Sequence, residues 1–162
     1  MSNKKFKVSS EGLILITKWE GFKADAYLDP IGVWTIGYGT IRWPDGRRVQ
    51  RGDKITEAQA RDLMEVQVNE HLADVAHAIK VSLLQNQIDA IASFVYNLGA
   101  PNFLSSTLLK MINAKRWFDA GEQFVRKVNG EWKGWIYAGG KIFQGLINRR
   151  LDEKKLFMRG VS

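Results

Sequence analysis

From Thr56 to Leu98 the chain contains neither glycine nor proline. Those two residues interrupt helices most readily, so this stretch constrains the fold more than any other. It opens on Thr56-Glu57-Ala58-Gln59, a hydroxyl followed three residues later by Gln, which is the spacing of a capping box. Leu63, Val66, Val68, Leu72, Val75, Ala76 and Ile79 then recur mostly at intervals of three or four. The pattern predicts a helix from Thr56 to about Lys80, long enough to join two lobes. Ser82 is placed to cap a second helix over 83–98. Its apolar residues (Leu84, Ile88, Ala90, Ile91, Ala92, Phe94, Val95, Leu98) leave few polar faces, which is the mark of a buried helix. Gly99 and Pro101 end it.

The flanking segments have a different texture. Ser9-Ser10 and Glu11 precede the apolar-rich run Leu13 to Trp19, predicting an N-capped helix that stops at Gly21. From Ala26 to Val49, aromatic and β-branched residues alternate with Gly32, Gly37, Gly39 and Pro44-Asp45-Gly46. That predicts a small antiparallel sheet of about three short strands. Further helices are expected around 106–113, 117–127 and 142–158. Asn129 to Gly140, which holds four glycines, reads as an ordered loop. The fold class is α+β and mostly helical. The organisation is bilobal: residues 1–55 form a helix-and-sheet lobe, 56–80 a connecting helix and 81–162 a helical lobe.

Composition narrows the function classes. With 45% hydrophobic residues in 162, the chain buries a sizeable core without covalent staples, and it has no cysteine to make any. No run approaches the roughly 18 apolar residues of a membrane span. Leu13 to Ile16 is too short for a signal-peptide core, so the expectation is a soluble protein made in the cytoplasm without a cleaved signal. Lys and Arg number 24 against 17 Asp and Glu, a net +7 that favours an anionic partner. The basic residues occur as scattered pairs, and no basic recognition helix or RNA-binding motif is present, which argues against nucleic acid. His71 and His77 lie six apart on the predicted helix and face different directions. Together with the lack of cysteine, this leads to an expectation of no metal and no cofactor, and the two histidines read as surface or structural residues.

The segment carrying chemistry is 19–39. Glu20 ends the first predicted helix among apolar neighbours. The helix dipole at a C-terminus disfavours negative charge, and burial near Trp19 pushes the same way, so the position suits an acid that must keep its proton. Asp29 sits in a turn before Pro30, and Thr35 lies on the following strand. A carboxylic acid, a carboxylate and a hydroxyl around a cleft can hydrolyse a glycoside. The acid protonates the leaving oxygen, while the carboxylate stabilises the oxocarbenium-like state or orients water with the hydroxyl's help. Taken singly, each residue also has an ordinary reading: surface acid, turn former, strand residue. Trp34, Trp43, Trp132 and Trp135 are candidates for stacking on sugar rings, with core packing as the commoner role, and Trp19 and Trp117 read as core.

The order Glu20, eight residues, Asp29, five residues, Thr35, then Ile36-Gly37-Tyr38-Gly39 resembles the signature of the phage-type lysozymes, the endolysins of glycoside hydrolase family 24. Leu84 to Ala90 and Phe94 to Gly99 resemble that family's buried central helix, Ser106 to Leu109 its next helix, and Gly145 to Arg150 with Glu153, Leu156 and Phe157 its closing helix. The resemblance runs from about residue 9 to 158. It implies a lysozyme-like fold and cleavage of the β-1,4 bond between N-acetylmuramic acid and N-acetylglucosamine in peptidoglycan. By it, Glu20 is the proton donor, and Asp29 and Thr35 hold the attacking water, giving inversion. If Asp29 were instead a nucleophile, the product would retain configuration.

The same resemblance makes Arg149 the partner of Glu20 across the lobes, favouring the ionised acid until substrate shifts the balance. It places Tyr96 and Asn97 where the central helix borders the cleft, as candidate substrate contacts, and Ile41, after the sheet's glycine pair, is a third; the ordinary readings are core for Tyr96 and Ile41 and a helix-end polar residue for Asn97. The resemblance also implies a separate permeabilising partner for release to the wall; a monomer without stable membrane insertion is the default expectation. Thr40 stands where many members carry His, a change in local support that leaves the trio intact. The rival readings are a catalytically silent wall-binding module on this fold, a nucleic-acid binder, and membrane disruption by the basic helix at 142–158.

Overall fold

The computed structural model describes residues 6–162. Helix α1 (Ser10–Glu20) is capped by Ser9, whose hydroxyl accepts from the Gly12 amide. Ser9 also donates through Oγ and its own amide to the buried Asp89 carboxylate, at 2.5 and 2.9 Å. This ties the start of α1 to the middle of the buried helix α3 (Gln85–Leu98). Gly12 permits the approach: a Cβ there would stand 2.6 Å from Val8 Cγ2 and 2.7 Å from Asp89 Oδ1. Gly21, at φ +69°, ends α1 with its amide on the Thr17 carbonyl.

The sheet segment is simpler than expected. Two strands, β1 (Lys23–Leu28) and β2 (Trp34–Gly37), pair antiparallel with Tyr27 opposite Thr35 and Leu28 opposite Trp34. The expected third strand is reduced to isolated bridges, Ile36 with Thr40 and Arg42 with Arg48. The turns through Gly37, Gly39 and Gly46, all at positive φ, reverse the chain too often for a longer run to pair.

Helix α2 (Glu57–Ala76) has both halves of the capping box, and its buried stripe is Ala60, Met64, Val68, Leu72 and Val75. It stops four residues before the expected Lys80. Asn113 explains this, because its side chain accepts from the Lys80 amide at 2.8 Å and donates to the Ala78 carbonyl at 2.9 Å, pairing backbone outside the helix. Helix α3 is buried over Gln87–Val95, as its composition predicts, but Leu84 precedes it rather than Ser82. The Gln87 side chain accepts from the Leu84 amide and so does the capping from inside the helix.

Pro101 does not simply end α3. It sits in the first turn of a short helix, α4 (Ala100–Leu104), where proline lacks only a donor the helix would not use. Helix α5 (Thr107–Asn113) is capped by Ser106, and α6 (Trp117–Phe124) ends three residues before the expected Lys127. There the chain enters β3 (Val125–Val128), which pairs with β4 (Glu131–Gly134). The predicted loop at 129–140 is therefore part of a hairpin, followed by the small pair β5 (Tyr137–Ala138) and β6 (Lys141–Ile142). Helix α7 (Gln144–Met158) closes the described chain.

Helix α3 is the centre of the packing, in contact with α1, α2, α4 and α7. Phe94 on α3 meets Phe103, Phe124 and Trp135 edge-on, at centroid separations of 5.4–6.2 Å. Such pairs add to the burial of their large apolar surfaces. Val125, Ile136 and Ile147 form a second, smaller cluster beneath the C-terminal hairpins.

Candidate active site

Glu20 is the last residue of α1, and its side chain remains 22% exposed at the edge of an open cleft of about 430 Å³. The cleft is lined by Glu20, Tyr38, Gly39, Gln67, Glu70, His71 and Tyr96. Arg149, from the second turn of α7, reaches across with Nη1 donating to Glu20 Oε1 at 2.7 Å. The expected pairing of these two residues is present. Arg149 itself is buried, with Nη2 on the Ser93 carbonyl at 3.2 Å and Nε on Glu153 Oε1 at 3.3 Å.

Tyr96 lines the cleft, as the sequence reading anticipates. Its hydroxyl donates to the Tyr38 carbonyl at 2.9 Å, pinning the β2 turn to α3. Burial pushes the Tyr96 phenol well above its usual value, and the nearby Glu20 charge adds to this while Arg149 opposes it. His71 stands edge-on to the Tyr96 ring at 5.8 Å. The sequence alone reads His71 as a surface or structural residue and does not single out Gln67 or Glu70. Only the placement of α2 beside the sheet turn brings them to the cleft.

Asp29 follows β1 in the turn to β2, and Thr35 lies on β2 opposite Tyr27. Asp29 Oδ1 accepts from the Ile31 and Val33 amides at 3.0 and 2.8 Å, while Oδ2 takes no hydrogen bond from the described residues. Thr35, 5% exposed, donates from Oγ1 to the Val33 carbonyl at 3.0 Å. Neither residue lines the Glu20 cleft itself. Val33 and Trp34 instead border a second hollow of about 270 Å³ with Gly32, Ile41, Arg42, Arg48 and Val49. Ile41, 47% exposed, belongs to this hollow. Asn97 lines neither, and its Oδ1 accepts from Arg150 Nη2.

Thr40 is buried at 1% exposure, and its hydroxyl finds no partner among the described residues. Of the tryptophans, Trp34 alone borders one of these two hollows. Trp43 donates to Asp53, Trp132 lies beneath Lys127, and Trp135 packs on Phe94. Trp19 bonds Asp152, and Trp117 packs on the core. Among the described residues, no three His, Cys, Asp or Glu side chains gather as a metal site would require, and no helix is long and apolar enough to cross a membrane.

The phage lysozyme family model matches residues 17–153, which include Glu20, Asp29, Thr35 and Arg149. The chain belongs to the phage lysozyme family. The endolysin of Bacillus phage PZA is 38% identical over 156 residues, covering 95% of this chain and 56% of that protein. The chain thus spans little more than half the length of that relative. The endolysin of Acyrthosiphon pisum secondary endosymbiont phage 1 is 38% identical over 154 residues, covering 93% of this chain and 97% of its own. Among solved structures, the endolysin from Escherichia coli O157:H7 phage FAHEc1 superposes with a TM-score of 0.80 at 36% identity, covering 96% of this chain and 95% of that one. The α+β, mostly helical lysozyme-like fold is therefore as expected. So is the class of enzyme, since the family is one of peptidoglycan-degrading glycoside hydrolases.

Proposed function

We propose that this phage lysozyme homologue hydrolyses the β-1,4 bond between N-acetylmuramic acid and N-acetylglucosamine in peptidoglycan. The observation carrying this reading is the Glu20 carboxyl, held at the cleft edge by Arg149 and still open to solvent. A general acid needs that combination of fixed direction and access to the leaving oxygen. Asp29 Oδ2 has no donor among the described residues, and the Thr35 hydroxyl, with its proton committed to the Val33 carbonyl, retains lone pairs to accept from water. Together they suit a pair that orients a nucleophilic water, with inversion at the anomeric carbon.

In this reading the sheet segment to about residue 55 and the bundle from about 81 act as lobes flanking the cleft, with 56–80 joining them. Tyr96 supports the cleft wall, while Ile41 and Trp34 offer apolar surface to the glycan. The net charge of +7 favours adhesion to the anionic wall, an attraction that salt weakens. The proposed working form is a monomer that reaches the wall after a separate agent opens the membrane.

The test is release of reducing sugar from purified peptidoglycan by the wild type and by Glu20→Gln, with the first product anomer followed by NMR. The expected result is a loss of about 10²-fold or more in the variant and an inverted anomer. Full activity in the variant would sink the assignment of Glu20 as the acid, and none in the folded wild type would sink the reading and favour a silent wall-binding module.

A further inference from the structure

Behind Glu20 lies a cluster of buried charge larger than one ion pair. Helix α7 supplies Arg149, Arg150 and Glu153, and α3 supplies Ser93, all with little or no exposure. Glu153 Oε1 accepts from Ser93 Oγ at 2.7 Å and from Arg149 Nε at 3.3 Å, and its Oε2 accepts from Arg150 Nη1 at 3.0 Å. Three donors converge on two oxygens, the arrangement of a carboxylate rather than of an acid. Complete burial pushes the Glu153 carboxyl upward, and the two guanidiniums and the Ser93 hydroxyl oppose it. Arg150 donates to Asn97 and lies over the Phe94 ring, while its Nε finds no acceptor among the described residues. Burial pulls the Arg150 guanidinium down to about 10, which leaves it charged at neutral pH.

A single Arg149 would suffice to hold Glu20. A second buried guanidinium beside it adds positive charge at the back of the site, and a general acid works only while it carries its proton. We infer that Glu153 is a positioning residue for the Glu20 acid: it fixes the Arg149 guanidinium and offsets the Arg150 charge, so that Glu20 faces a buried cluster of net +1 rather than +2. This rests on the reading of Glu20 as general acid. The other groups facing Glu20 are Tyr96 on α3, Glu70 and His71 on α2, and Tyr38 after β2, and they stay constant in the comparison below. A role confined to fastening α7 to α3 predicts lost stability and no movement of the pH profile.

The experiment measures kcat/KM against pH on solubilised glycan strands for the wild type, Glu20→Gln, Glu153→Gln and Arg150→Gln, with folding checked by circular dichroism. Glu153→Gln leaves net +2 behind the acid, so the alkaline fall in activity moves to lower pH by about one unit. Arg150→Gln leaves the Arg149–Glu153 pair neutral, so the same fall moves to higher pH. Opposite displacements support the proposal. Coincident profiles, or displacements in one direction, overturn it. If Glu153→Gln does not fold, Arg150→Gln decides alone, because Glu153 there keeps its bonds to Ser93 and Arg149, and an unmoved or lowered alkaline fall then overturns the proposal. Retained activity in Glu20→Gln means that the acid assignment itself has failed. An inactive Glu20→Gln with unmoved profiles in the other variants means that only the positioning role has failed.

Discussion

Asp29 and Thr35 meet at Val33: the carboxylate accepts the Val33 amide at 2.8 Å, and the threonine hydroxyl donates to the Val33 carbonyl at 3.0 Å. The turn between the two strands is thus clasped from both sides by the two side chains proposed to hold water. Structure and chemistry overlap at these positions, and substitutions can separate them.

Asp29→Asn retains an amide oxygen that can accept from Ile31 and Val33, so the turn survives and thermal stability falls by about 1 kcal/mol or less. The charge is gone, and activity falls by about 10²-fold or more. Asp29→Ala removes the acceptor as well and costs both stability and activity. Thermal melts beside glycan hydrolysis separate the two contributions. Equal activity in wild type and Asp29→Asn would restrict Asp29 to a turn-forming role.

Tyr96→Phe tests the tie between α3 and the sheet turn. At pH 7 it removes one hydrogen bond, the 2.9 Å contact to Tyr38, at a cost of about 1 kcal/mol. The larger signature appears at alkaline pH. The folded protein holds the Tyr96 phenol protonated, through burial first and the Glu20 charge second, at pH values where the unfolded chain releases its proton. Unfolding therefore releases a proton, and stability from this source is complete below about pH 10 and lost as pH rises further. Tyr38, raised mainly by burial and then by its bond to Glu57, acts in the same direction. Urea midpoints from pH 8 to 11 should fall less steeply in Tyr96→Phe than in wild type. Parallel slopes would contradict the prediction.

Thr40→Val should stabilise the protein. The Thr40 backbone pairs with Ile36 in both directions, and valine preserves that geometry and the side-chain shape. What disappears is a buried hydroxyl without a partner among the described residues, a group costing about 1 kcal/mol to bury. The expected result is a rise of a few degrees in Tm with unchanged activity. A fall in Tm would mean that the hydroxyl is satisfied in solution.

The long helices were legible in the sequence because their signals are local. The Thr56–Gln59 box and the Ser106 cap need only neighbours three residues away. The end of α2 was not legible, since Asn113 supplies the competing bonds from 35 residues beyond Ala78. Asn129-Gly130, at φ +52° and +82°, carries the dipeptide of a tight hairpin, yet its glycine-rich neighbours masked the pairing of β3 with β4. At the site, Glu20 and Arg149 were legible through family resemblance, and their bond is as expected. Ser93 and His71 had no signal of their own: each is an ordinary helical residue until α3 and α2 are placed around the cleft.

The Arg149–Glu20 bond spans 129 residues of chain. Its two halves are synthesised far apart, and contacts so distant in sequence form only after the intervening loop has been closed. A nascent chain interrupted before Gln144 already carries the acid, the first sheet and the long helix, but it lacks the guanidinium that steadies them into a site. Readiness to cut is thereby coupled to the docking of α7: among the elements of the cleft it comes last in chain order, and its arrival finishes the site.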